Sequence, residues 1–105
     1  MANTGNIFET HDQRETDETF IPLLQRAGFR LEQIVSNGQA SAPGFWYDQD
    51  RDEWVMLVRG EAVLELDQER VELKAGDYLL IPAHVRHRVA SCSQDAVWLA
   101  LHMNK

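Results

Sequence analysis

Residues 76–89 read Gly-Asp-Tyr-Leu-Leu-Ile-Pro-Ala-His-Val-Arg-His-Arg-Val, and the fold turns on this stretch. Gly76-Asp77 is a turn pair. Asp77–Ile81 has strand character, and Pro82 ends the strand because it has no N–H to give to a sheet ladder. His84 and His87 follow, three residues apart and outside any helical pattern. A strand that delivers two imidazoles through a proline-broken bend is an arrangement for presenting side chains to a cavity. The competing reading is a surface turn whose histidines bond to water or backbone.

Short strand signals separated by turns extend on both sides. Trp54–Arg59 is an apolar run closed by Gly60, Ala62–Leu66 is another, and Asp67–Glu69 forms a hairpin turn back into Arg70–Leu73. Tyr78–Ile81, His87–Ala90 and Val97–His102 complete the set. Many short strands at this spacing predict an all-β barrel or sandwich. Upstream, Phe29–Val35 alternates with period two, and Asn37-Gly38 and Pro43-Gly44 are turn pairs. Thr10–Asp17 reads as a polar loop that includes His11, to which no role is given. Thr16–Gly28 reads as a short helix capped by Thr16 or Asp17. Phe20, Leu23, Leu24 and Ala27 would form its apolar stripe and Gly28 its stop, with Pro22 as the objection.

The 105 residues predict a single domain, with an extension and helix over 1–28 and a barrel over 29–105. The apolar fraction of 44% is ordinary for a globular chain, and the formal net charge of −7 disfavours nucleic acid and anionic membrane surfaces as partners. No apolar run is long enough to cross a bilayer, and the polar start does not read as a secretory signal. The single cysteine, Cys92 in a Ser-Cys-Ser stretch, fits a reducing, cytoplasmic setting.

Residues 46–103 resemble the cupins, small barrels of the double-stranded β-helix or jelly-roll type. The second cupin motif has the form G-x5-P-x-G-x2-H-x3-N. Gly76, Pro82 and His87 stand at matching positions, His84 replaces the later glycine, and Ser91 replaces the asparagine. The first motif ends in a glutamate, six residues and a glycine, matched by Glu53 and Gly60. The departure lies just before the glutamate, where metal-binding cupins carry H-x-H and this chain has Tyr47 and Gln49. The resemblance then leaves Glu53 and His87 as metal ligands, and divalent transition metals normally need three or four.

Strand parity places Glu53, Val55 and Leu57 on one face, with Tyr47 and Gln49 if the strand is continuous. On the last strand Trp98, Ala100 and His102 share one face and Val97, Leu99 and Leu101 the other; parity does not say which is inside. With Trp98 inward, a central pocket gathers Tyr47, Gln49, Glu53, His87, Trp98 and His102, with His84 at its rim. Glu53, His87, Gln49 and His102 would then be the ligands of a divalent metal, Fe, Mn, Ni or Zn; otherwise no cofactor is expected. Without metal, Glu53 and His87 form an acid–base couple. The missing H-x-H favours a metal-free or weakly metal-binding pocket for a small molecule. The alternative is a metal-dependent cupin enzyme of oxygenase, isomerase, lyase or decarboxylase type. The resemblance also implies a homodimer, which an exposed face with Trp54, Met56 and Val58 would suit.

Overall fold

Period-two burial runs through β3, Glu53–Arg59: Glu53, Val55 and Leu57 are buried, while Trp54, Met56 and Val58 are half-buried. This is the pattern of a strand with one face against a core. A computed structural model describes residues 2, 4–9 and 18–103, and among these every regular element is a strand. Along the chain they are β1 (Thr19–Arg26), β2 (Phe29–Val35), β3, β4 (Glu61–Leu66), β5 (Glu69–Lys74), β6 (Tyr78–Ile81), β7 (His87–Cys92) and β8 (Val97–Met103).

Two antiparallel sheets form, one in the order β1-β2-β8-β3-β6 and the other β5-β4-β7. Neither closes on itself, which corrects the expected closed barrel. The first sheet ends at β1 and β6, and the second at β5 and β7. The architecture is an all-β, cupin-like pair of open sheets packed face to face. Leu57 and Trp98 from the larger sheet meet Leu64 and Leu73 from the smaller one, with Val55, Ile81 and Ala100 in the same buried cluster. Gly60 makes the one-residue turn from β3 to β4 at φ +93, and a Cβ there would fall 2.3 Å from Ser93 Oγ. That is the physical content of the glycine ending the first motif.

The expected N-terminal helix is also corrected. Residues 19–26 form β1, which pairs with β2 through a two-residue turn at Ala27-Gly28. Pro22 is tolerated because β1 is an edge strand, whose outer N–H positions need no ladder partner, and the register shifts just after it. The would-be helical stripe is not core: Phe20 is 54% exposed, and Leu23 and Leu24 are exposed as well. The proposed caps Thr16 and Asp17, and the loop carrying His11, lie outside the described residues.

Pro82 ends β6, and the chain bends through Ala83–Arg86 into β7. His84 sits in this bend at φ +65, a left-handed backbone, at the motif position that is otherwise glycine. Its N–H donates to the Gln49 carbonyl at 2.7 Å, and its Nδ1 lies 3.0 Å from Asp48 Oδ1. A left-handed conformation costs an L-residue with a Cβ about 1–2 kcal/mol, whereas an exposed polar contact of this kind returns ~0–1 kcal/mol. The His84→Gly variant should therefore unfold at higher urea than His84→Ala, by about 1 kcal/mol. Equal stability of the two variants would show that the bend is not strained.

Candidate functional site

Cross-strand register builds the site. Glu53 opens β3, opposite Ile81 on β6 and His102 on β8. His102 is in turn opposite Arg30 on β2. Directly opposed residues project to the same face of a sheet, so Arg30, His102 and Glu53 form one row across three strands. His87 opens β7 in the other sheet and is held by a two-way bridge to Tyr47. The Tyr47 N–H donates to the His87 carbonyl at 2.8 Å, and the His87 N–H to the Tyr47 carbonyl at 3.0 Å. Their rings stack with centroids 5.5 Å apart.

Between the sheets lies a cavity of about 390 Å³. Tyr47, Gln49, Glu53, His87, Trp98 and His102 all line it, so the face of β8 left open by parity is the Trp98–His102 face. His84 does not line it; its side chain is 68% exposed beside Asp48. Glu18, Arg30 and Glu32 line the cavity too, and none of them stood out in the sequence. The usable signal was the parity of β2, where Arg30, Glu32 and Ile34 alternate with Leu31 and Gln33. A wider hollow of about 580 Å³ beside Ala62, Leu73 and Ser91 contains none of the histidines.

Hydrogen bonds set the imidazole protons. His87 Nδ1 lies 3.0 Å from the Val85 carbonyl. A carbonyl only accepts, so Nδ1 carries a proton, and Nε2 faces Glu53 Oε1, 3.7 Å away. His102 Nε2 instead donates to Glu32 Oε1 at 2.8 Å and stands 3.9 Å from Glu53 Oε2. Neither distance to Glu53 is a hydrogen bond. Glu53 is only 7% exposed. Burial pushes its carboxyl above the usual range, against the opposing pull of His102 and His87. Tyr47 is raised likewise by burial and then by the carboxylates of Glu18 and Glu53, and Glu18 by its own burial.

This donor set does not fit a resident divalent metal. Tyr47 and Gln49 occupy the H-x-H positions, and His102 Nε2 carries the proton of its hydrogen bond to Glu32, so it offers no lone pair there. Among the described residues no group of three or more His, Cys, Asp or Glu could hold a metal ion. Glu53 and His87 remain, fewer than the three or four ligands such sites use. What remains is a carboxyl and an imidazole that face one another 3.7 Å apart.

The Cupin domain family model matches residues 31–102. The chain belongs to the cupin family. This cupin is 46% identical to a candidate mannose-6-phosphate isomerase from Ralstonia eutropha JMP134. Their structures superpose with a TM-score of 0.93 over 99% of this chain and 100% of that one. It is also 46% identical over 46 residues to 3-hydroxyanthranilate 3,4-dioxygenase of Burkholderia cenocepacia, covering 40% of this chain and 26% of that enzyme. Against the enzyme of the same name from Paraburkholderia phytofirmans it is 44% identical over 64 residues, covering 57% of this chain and 37% of the enzyme. The matched part of this cupin thus spans about a quarter to somewhat over a third of the curated relatives' length. No helix among the described residues is long and apolar enough to cross a membrane.

The elevated Glu53 carboxyl has a stability consequence. Below the ordinary carboxylate range both folded and unfolded chains hold the proton, and burial carries no ionisation penalty. Above that range the unfolded chain loses its proton first, so stability falls as pH rises through the folded value. Glu53→Gln removes this loss. It should be more stable than the native chain at about pH 8 and match it near about pH 4. Urea titrations at both values check the sign, and a variant less stable at the higher pH would contradict it.

Proposed function

We propose that this cupin binds a small organic molecule in the cavity between its sheets, with Glu53 and His87 as a metal-independent acid–base pair facing the ligand. The observation that carries this reading is the Glu53 carboxylate. It belongs to a residue only 7% exposed, makes no hydrogen bond among the described residues and stands 3.7 Å from a histidine whose other nitrogen is tied to backbone. A ligand donor reaching both Glu53 and His87 would give this carboxylate the hydrogen bond that no described residue supplies. Val55, Leu64, Ile81, Val89 and Trp98 supply apolar walls for the rest of the molecule. The pair could take a proton from one ligand atom and return it to another, the elementary step of an isomerase or lyase.

The name of the Ralstonia relative points to a phosphorylated sugar, which this lining does not favour. Glu18, Glu32 and Glu53 face one cation, Arg30, itself 3.7 Å from Glu32. A second reading, a divalent-metal-dependent enzyme, is favoured by the identity with the two dioxygenases. It requires His102 to release Glu32 and a further ligand to replace Tyr47 or Gln49. A cytoplasmic location, consistent with the lone half-buried thiol Cys92, belongs to the same proposal. So does a homodimer through the β3–β6 side, where Tyr78 and Leu80 are exposed beside Trp54.

Chelator-treated protein is screened by backbone amide NMR against ring-bearing fragments that include cations, neutral compounds and anions. Shifts confined to cavity-lining residues, and lost in a cavity-filling Val55→Trp variant, are expected. Binding that appears only with added divalent metal would move the second reading to first place, and fragments mapping only outside the cavity would end the first. Light scattering checks the homodimer; a monomer at all concentrations would remove it.

A further inference from the structure

Three hydrogen-bond acceptors converge on one end of the cavity, with no donor among the described residues satisfying them. Two are the oxygens of Glu53, whose nearest basic nitrogens stand at 3.7 and 3.9 Å. The third is His87 Nε2, which bears the lone pair of the neutral ring because Nδ1 is turned to the Val85 carbonyl. A donor atom placed between His87 Nε2 and Glu53 Oε1 lies within hydrogen-bond reach of both, because their separation exceeds one such bond and falls short of two. A hydroxyl has one proton to give. An ammonium group has three and accepts none.

Charge points the same way. Six ionisable groups other than Tyr47 line the cavity: Glu18, Glu32, Glu53, Arg30, His87 and His102. Arg30 is tied to Glu32 by a 3.7 Å contact, and Glu32 also accepts from His102. Glu18 accepts from Ser36 Oγ at 3.2 Å. Glu53 is the buried carboxylate left without such a donor. The mouth carries exposed aromatic faces, Phe20 and Tyr47, and such faces attract a cation passing over them.

We infer that the ligand is a primary amine on an apolar, ring-bearing body, its ammonium seated between Glu53 and His87 Nε2 and its ring among Val55, Leu64, Ile81 and Trp98. This rests on the small-molecule reading of the same cavity and names the ligand's class. A ring carrying a carboxylate or phosphate in place of the amine would set a second anion against Glu53.

Benzylamine, benzyl alcohol and benzoate share one ring and differ in this group. Each is titrated into chelator-treated full-length protein near neutral pH, with cavity amides and the Trp98 indole followed by NMR. Benzylamine should bind at least about tenfold tighter than benzyl alcohol, and benzoate should not bind, as expected where a charge-assisted bond is gained or a like charge opposed. In Glu53→Gln the benzylamine affinity should fall towards that of benzyl alcohol, and native amide dispersion outside the cavity shows that the variant is folded. If benzyl alcohol equals benzylamine in the native chain, the amine class is wrong and the cavity reading stands. Tightest binding by benzoate would overturn the inference in favour of Arg30 as the recognition group. If none of the three shifts a cavity residue, while other fragments do, this inference alone fails. If no fragment does, it fails together with the reading beneath it.

Discussion

Strand β8 is what the two-sheet structure depends on. It pairs with β2 along one side and β3 along the other, so the β1–β2 hairpin joins the sheet only through it. Its inward face carries Trp98 and Ala100 into the core and His102 to the cavity. The same alternation that buries the core therefore places a titratable group at its end. Core and site are consecutive parts of one face, divided by where apolar filling stops.

Where the filling stops, the chemistry begins. Glu53 shares a strand face with Val55 and Leu57, and the desolvation that raises its carboxyl comes from the packing that stabilises the sheets. Full satisfaction of Glu53 by protein donors would favour the fold and leave nothing for a ligand. Leaving it without a hydrogen bond costs stability and creates an acceptor site, the compromise expected of functional positions. Glu32 has a complementary part. By accepting a hydrogen bond from His102 Nε2–H it turns a would-be metal ligand into a fixed donor, which fits the absence of histidines at positions 47 and 49.

The errors of sequence reading are specific. In residues 16–28, Phe20, Leu23, Leu24 and Ala27 do fall at helical spacing, yet residues 19–26 form an edge strand. Pairing with β2 outweighs a local period that carries no information about an available partner strand. His84 and His87 look alike three residues apart, but the bend sends one to solvent and the other between the sheets. The alternation of Phe29–Val35 did not single out Arg30 and Glu32, yet β2 lies beside β8 and lines the cavity with them.

The sequence alone determined the family, the strands from Phe29 onward and the identity of the Glu53–His87 pair. Those follow from period-two alternation, turn residues and motif spacing, all of which are local along the chain. The tertiary structure decided that the sheets stay open and that residues 19–26 form a strand. It also decided which face of β8 is internal and which groups surround Glu53. These depend on cross-strand register and on which sheet covers which face, relations between residues far apart in the chain.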